Sequence, residues 1–289
     1  MPLPVPRGSR NSIKSKMVEN MSKRDNHISY ELSDDIALIG IDRAAKRNAM
    51  NQAMFEAFGR AATRAQEEAR VAVIFSHGEN FSAGLDLAEH VDRDPISSMH
   101  DSRAQHAILN LLEQGRIPFI AAVQGATIGA GLEIAASTHI RVGDETTYFA
   151  LPEGKRGIFV GGGGSVRVAR LVGVARMMEM MLTARTLTAS EGFSCNLLQF
   201  ITPRGEALAK AIELARGIAK NSALSNYAII NGLPRIRDAS HDDGLFFESV
   251  LAALTLAGPD AQAGLREFLE KRADRLKPAA ADAAKTSTG

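Results

Sequence analysis

The chain has a single cysteine, Cys195, no tryptophan, and an aromatic fraction of only 5%. One thiol excludes an intrachain disulfide and fits a reducing compartment, which we take to be the cytoplasm. So few aromatic rings leave little material for aromatic cages or base-stacking platforms. Neither sign of charge dominates: 34 Lys and Arg face 33 Asp and Glu, a formal net charge of +1. That balance gives no footprint of a nucleic-acid binder or a membrane-surface protein. No apolar run reaches the roughly 18 residues that a membrane span needs. The histidines at 77, 90, 100, 106, 139 and 241 show no paired ligand spacing, so no metal site is expected.

What is present is apolar and patterned. Hydrophobic residues make up 45% of the 289, enough for a sizeable core in one large domain or two. Residues 1–26 are polar, basic and proline-containing, and are expected to form a disordered tail, with Met17 and Met21 as alternative starts. Residues 27–202 show alternating strand and helix signals, the pattern of an α/β core. Segments 28–32 and 36–41 read as strands around an Asp34-Asp35 turn. Asn51 is placed to cap a helix reaching about residue 69, with Met54, Phe55, Phe58, Ala61, Ala62 and Ala65 along one side. Val71 to Phe75 reads as a buried strand, 92–97 as a polar loop, and the stretch from there to Gln114 as a helix. Strands are expected near 139–142 and 197–201, and helices over 174–183 and 188–193. After Pro203 only helical periodicity remains, over 204–220, 222–237, 241–256 and 260–273. Residues 203–277 therefore read as a helical C-terminal region and 278–289 as a loose tail.

The stretch from Ile117 to Ala136 organises the rest. It opens as a buried strand, passes Gly125, Gly129 and Gly131 as a tight turn, and enters a helix at about Leu132. Glu133 falls in that first helical turn among Leu132, Ile134, Ala135 and Ala136. A carboxyl in such surroundings is expected to have a raised pKa, as general acids and bases do. A second turn, Ser82-Ala83-Gly84-Leu85-Asp86, also follows a strand and opens a helix. If the two strands are neighbours, both turns lie at one sheet edge, and their amides form a two-donor oxyanion hole. Each turn read alone is an ordinary strand-to-helix junction. Glu153, in Leu-Pro-Glu-Gly, read alone is a solvated loop acid. The run Gly161 to Gly164 is not a phosphate loop, because no Lys-Ser or Lys-Thr follows, and the dinucleotide fingerprint fails too. Lys46 and Arg47, beside a strand end, either meet phosphates or form a solvated charge pair. Cys195 lacks an activating partner in the sequence and reads as a structural thiol.

Three motifs, in order, carry a family resemblance: Phe-Ser-Ala-Gly-Leu-Asp-Leu at 81–87, Gln-Gly-Ala-Thr-Ile-Gly-Ala-Gly-Leu-Glu-Ile-Ala at 124–135, and Phe-Ala-Leu-Pro-Glu at 149–153. On these, the chain resembles the crotonase superfamily and, within it, the enoyl-CoA hydratase/isomerase family, over roughly residues 28 to 275. The twenty-residue separation of Glu133 and Glu153 is similar to the hydratase arrangement.

The resemblance implies an α/β fold, a spiral of ββα units with a C-terminal helical region that drives trimerisation, often as a dimer of trimers. It implies an acyl-CoA thioester as ligand, with coenzyme A part of the substrate and no separate cofactor. The backbone amides of Leu85 and Ala130 would hold the thioester oxygen, and Glu133 and Glu153 would handle the water and the α-carbon proton. Lys46, Arg47 and the Ala83 backbone would contact CoA. Phe268 and Lys271 would reach a CoA nucleotide, often a neighbour's. Ala44, Ala130 and Val160 depart from the family pattern without removing a catalytic group.

The implied activity is hydration of a trans-2-enoyl-CoA. The alternatives are another crotonase reaction (isomerase, dehydratase or hydroxycinnamoyl-CoA hydratase-lyase) or a non-catalytic RNA-binding or scaffold member. Two glutamates weigh against the first and the near-neutral charge against the second.

Overall fold

The computed structural model describes residues 25–269. The tail expected over 1–26 lies outside the described residues except for Asp25 and Asn26, as do Lys271 and the loose tail at 278–289. The strands β1 (Ile28–Ser33) and β2 (Ile36–Ile41) form an antiparallel hairpin. Its turn is made by Asp34 and Asp35, whose φ angles of 52° and 61° are left-handed, as a tight hairpin demands. The strands β3 (Val71–Ser76), β4 (Phe119–Val123), β6 (Ile140–Asp144) and β9 (Phe200–Thr202) continue the sheet in parallel, giving the order β1-β2-β3-β4-β6-β9.

Alternation along the central strands decides what covers each face. Ala37, Ile39 and Ile41 of β2, Ala72 and Ile74 of β3, and Phe119, Ala121 and Val123 of β4 enter the main core. There they meet Met54, Phe55, Phe58 and Ala62 of α1 (Gln52–Glu68). Asn51 caps that helix as expected, its side chain accepting from the Met54 amide at 3.0 Å, a contact worth about 1 kcal/mol. The alternate residues, Ile36, Leu38, Val71, Val73, Ile120 and Ala122, face the other way. They pack on Ala207, Ala211 and Ala215 of α7 (Ala207–Ile218). Alanines four residues apart put one smooth face on the sheet. The first helix of the C-terminal region thus covers the second face of the sheet.

Helix α2 (Pro95–Glu113) starts inside the polar loop expected over 92–97. Asp94 caps it, accepting from the Ile96 and Ser97 amides, and Pro95 fits the first turn because its missing N–H is not needed there. The turn expected between Gly125 and Gly131 contains a short strand, β5 (Ala126–Ile128), and α3 (Ala130–Ala136) begins two residues before Leu132. β5 pairs with β7 (Tyr148–Ala150), and β7 with β8 (Leu187–Thr188), forming a second, three-stranded sheet. Isolated bridges extend this layer: Ser82 pairs with Thr127, and Met50 with Leu85. The second layer therefore runs Met50, Ser82–Leu85, β5, β7. That repeats the order β2, β3, β4, β6 of the large sheet, since each segment follows its strand in the chain. This repetition of strand plus short bridging segment is the spiral of ββα units that the resemblance implies.

Helices α4 (Gly164–Val172), α5 (Val174–Thr183) and α6 (Ala189–Ser194) complete the core. Beyond α7 come α8 (Ala223–Asp238), α9 (His241–Ala257) and α10 (Pro259–Leu269), and no strand occurs after β9 among the described residues. Leu233, Phe246, Phe247, Leu254 and Leu256 on these helices are exposed.

Candidate active site

β3 and β4 are parallel neighbours, so the turns that follow them lie at the same sheet edge. Between those turns lies a cleft of about 310 Å³, lined by Ala83, Leu85, Ala130, Glu133 and Glu153 among others. Five of the residues singled out in the sequence thus meet on one cavity.

The amides at the two turns are directed by their neighbours. The Met50 amide donates to the Gly84 carbonyl at 2.8 Å, and the Asp86 amide donates to the Met50 carbonyl at 2.8 Å. The peptide groups on either side of Leu85 are thereby committed to Met50, and in such a parallel bridge the Leu85 N–H points to the opposite side. Ala130 is the first residue of α3, so its N–H is one of the helix-start donors without an intrahelical acceptor. Gly129, before it, has φ 51°, and a Cβ there would come within 2.8 Å of Glu153 Oε1. Only glycine permits both the backbone conformation and the approach of Glu153.

Glu133 is 4% exposed. Its Oε1 accepts two backbone hydrogen bonds, from the Gly162 and Gly164 amides, each at 2.8 Å. Burial pushes its pKa up, opposed by these two amides and assisted by the nearby charge of Glu153. The glycine run that failed as a phosphate loop is therefore a carboxylate cradle. A Cβ on residue 162 would stand 2.7 Å from Glu133 Oε2, and one on residue 164 would stand 2.9 Å from Oε1.

The cradle is fastened from outside. Arg167 of α4 donates from Nη1 to the Gly162 carbonyl at 3.0 Å, from Nε to Glu113 Oε2 at 2.6 Å, and from Nη2 to Asn110 Oδ1 at 2.5 Å. Ser102 Oγ donates to the Gly161 carbonyl at 2.6 Å. Sequence reasoning missed Arg167, Ser102 and the two cradle amides. The one signal was the run of four glycines ahead of a helix.

Glu153 is not the solvated loop acid that its sequence surroundings give. It lies in the short 3-10 turn Pro152–Arg156 that follows β7, and is 7% exposed. Burial raises its pKa, with Arg156 opposing. Its Oε2 is buried without a hydrogen-bond partner among the described residues.

Lys46 and Arg47 lie in a turn beside this site. Lys46, 58% exposed, reaches Asp86 at 3.4 Å, an acid that Arg43 already holds at 2.7 Å. The Arg43 hydrogen bond, with smaller help from Lys46, keeps the Asp86 carboxyl below its usual range. The Arg47 carbonyl accepts from the Ala83 amide at 2.9 Å, which ties this basic turn to the cleft lining. Phe268 is 67% exposed near the end of α10 and does not line the cleft. Cys195 is partly buried, burial raises its pKa, and it packs against the main core. Among the described residues no three His, Cys, Asp or Glu side chains gather closely enough to hold a metal ion.

Two buried carboxyls, a bridge amide and a helix-start amide on one cleft define a site for acid–base chemistry beside a stabilised oxyanion. Comparison with known proteins agrees with the fold. The model of the enoyl-CoA hydratase/isomerase family matches residues 31–277, and the chain belongs to that family. An enoyl-CoA hydratase of Mycobacterium tuberculosis (EchA19) is 31% identical over 245 residues, covering 83% of this chain and 92% of the relative. The 2,3-dehydroadipyl-CoA hydratase of Escherichia coli K12 is 31% identical over 244 residues, covering 84% and 95%. Among solved structures, one from Rhodopseudomonas palustris is 40% identical with a TM-score of 0.84, covering 86% of this chain and 96% of that one. An enoyl-CoA hydratase from Bacillus anthracis gives 28% and 0.80, covering 85% and 97%.

Proposed function

We propose that this enzyme is an enoyl-CoA hydratase, adding water across the 2,3 double bond of a trans-2-enoyl-CoA to give a 3-hydroxyacyl-CoA. The observation that carries the reading is that Glu133 and Glu153, both buried and both with raised pKa values, line one cleft with Leu85 and Ala130.

The geometry supports a division of labour. The amides of Leu85 and Ala130 hold the thioester oxygen as negative charge moves onto it, each contributing on the order of 3 kcal/mol. Two amides donate to Glu133, which favours its ionised form, so Glu133 takes a proton from the water as that water's oxygen bonds C3. Glu153 has a buried oxygen without a partner among the described residues, which favours its protonated form, so it gives its proton to C2. One proton is taken and one given, and a proton moving between the pair resets the site.

CoA is taken to lie against Lys46, Arg47 and the Ala83 backbone. The exposed apolar residues of α8 and α9 support a trimer or a dimer of trimers, since such a face needs a partner surface. Phe268 and Lys271 would then reach a neighbour's CoA. The single cysteine supports a cytoplasmic location.

The test is direct. Crotonyl-CoA mixed with the purified protein should lose its conjugated-thioester absorbance, with 3-hydroxybutyryl-CoA as product. Unchanged absorbance with crotonyl-CoA and with longer and substituted enoyl-CoAs would remove the hydratase reading. Light scattering reporting a stable, fully active monomer would remove the proposed assembly.

A further inference from the structure

Helix α2 carries one stripe of side chains toward the interior. At its C-terminal end the stripe is apolar: Leu109 and Leu112 are fully buried in the main core. Followed back at helical spacing, the same stripe becomes Gln105, Ser102, Asp101 and Ser98, and all four line the cleft. The wall facing the acyl end of the site is therefore polar where the rest of the stripe is apolar.

These polar groups are not all used by the protein itself. Ser102 donates to the Gly161 carbonyl, and Asp101 is paired with Arg93. Gln105 is 6% exposed, yet no hydrogen bond of its side-chain amide is found among the described residues. His90, also on the cleft, has its Nδ1 buried without a partner among the described residues. Arg156, on the turn after Glu153, lines the same cavity and has no ion pair among the described residues. A hydrocarbon chain laid against the Gln105 amide would strip its water and leave the amide unpaired, at a cost in free energy. An oxygen on the substrate removes it.

We propose that the substrate's acyl group carries an oxygen function beyond C3, received by the Gln105 amide and by Arg156, so that this hydratase selects oxygenated enoyl-CoAs over plain alkenoyl-CoAs. The inference rests on the hydratase reading and names its substrate class. A carboxylate and a hydroxyl share the required chemistry. The Arg156 cation, which makes no ion pair among the described residues although its charge is felt by Glu153, favours the carboxylate, while Gln105 and His90 serve either.

The experiment compares kcat/KM for three trans-2-enoyl-CoAs of matched length, ending in methyl, hydroxyl or carboxylate. An oxygenated substrate is expected to exceed the methyl-ended one by roughly tenfold to a hundredfold, the scale of one unpaired buried polar group. Gln105→Met, similar in shape, should erase that ratio by lowering the oxygenated substrates while sparing the methyl-ended one. Arg156→Met, at an exposed position that folding does not depend on, should lower the carboxylate substrate more than the other two, any change common to all three reporting the charge lost beside Glu153. A methyl-ended substrate turned over as well as both others, or ratios unchanged in both variants, overturns the inference and leaves hydration standing. No hydration of any of the three removes the hydratase reading itself.

Discussion

The Gly164 amide donates to Glu133 Oε1 at 2.8 Å, and the space that a Cβ on residue 164 would fill lies 2.9 Å from that same oxygen. One glycine thus both holds the carboxyl and leaves room for it. Gly162 does the same from the other side, with its own 2.8 Å bond and a Cβ position 2.7 Å from Oε2. Gly162→Ala and Gly164→Ala should therefore push Glu133 off its position while the fold persists. The expected loss in kcat approaches that of removing an acid–base group, about 10²–10⁴-fold. Steady-state kinetics beside circular dichroism checks this; wild-type kcat in both variants would show that the cradle does not position Glu133.

On the proposed mechanism the two glutamates act on one water and should fail singly. Glu133→Gln and Glu153→Gln are each expected to cut kcat by about 10²–10⁴ while acyl-CoA binding persists, and the double variant should be far less than multiplicatively worse. A Glu153→Gln variant near wild type beside a dead Glu133→Gln would point to a one-glutamate isomerase or lyase.

The same pair should shape stability against pH. Both carboxyls have folded pKa values raised above the ordinary 4.5, chiefly by burial. Such groups stabilise the fold fully below their unfolded pKa, and that contribution is lost as pH rises through the folded values. The Glu133→Gln/Glu153→Gln protein should therefore gain thermal stability relative to wild type as pH rises from 5 to 8. Melting temperatures at the two pH values measure it; a pH-independent difference contradicts it.

Arg167 is 7% exposed and donates to three acceptors on two segments, Asn110 and Glu113 of α2 and Gly162 of the glycine run. Arg167→Leu strands Glu113 and Asn110, and because Glu113 is partly exposed the expected cost is about 2–3 kcal/mol rather than the fully buried figure. Arg167→Lys should restore part of the stability without restoring kcat, because an ammonium cannot reproduce the planar fork that fixes the Gly162 carbonyl. Denaturant unfolding and kcat measured on both variants separate the two effects.

Ala130 offers its amide, not its side chain. Ala130→Gly should be tolerated, since the donor remains. Ala130→Val should cripple turnover, because the residue is 6% exposed on the cleft and added methyl groups fill the thioester's approach. Equal kcat/KM in the two variants would place the acyl group elsewhere.

Much of this was legible in the chain itself. The hairpin at Asp34-Asp35, the Asn51 cap, the buried central strands and the helical texture after Pro203 are local patterns, written in periods of 2 and 3.6 residues and in turn chemistry. Glu133 could be read as buried because its own neighbours are apolar. Glu153 could not, because the atoms that bury it belong to segments distant in sequence. The short strand β5 left no periodic signal over three residues; its pairing with β7 gives it its form. The glycine run announced only that backbone or ligand would come close. That the approaching group is the Glu133 carboxyl was decided when α4 packed beside α3, held by Arg167 reaching back to α2. Sequence by itself determined the longer strands and helices and supplied the two glutamates. The tertiary structure alone decided their convergence, because that depends on strand register and long-range packing that no local pattern encodes.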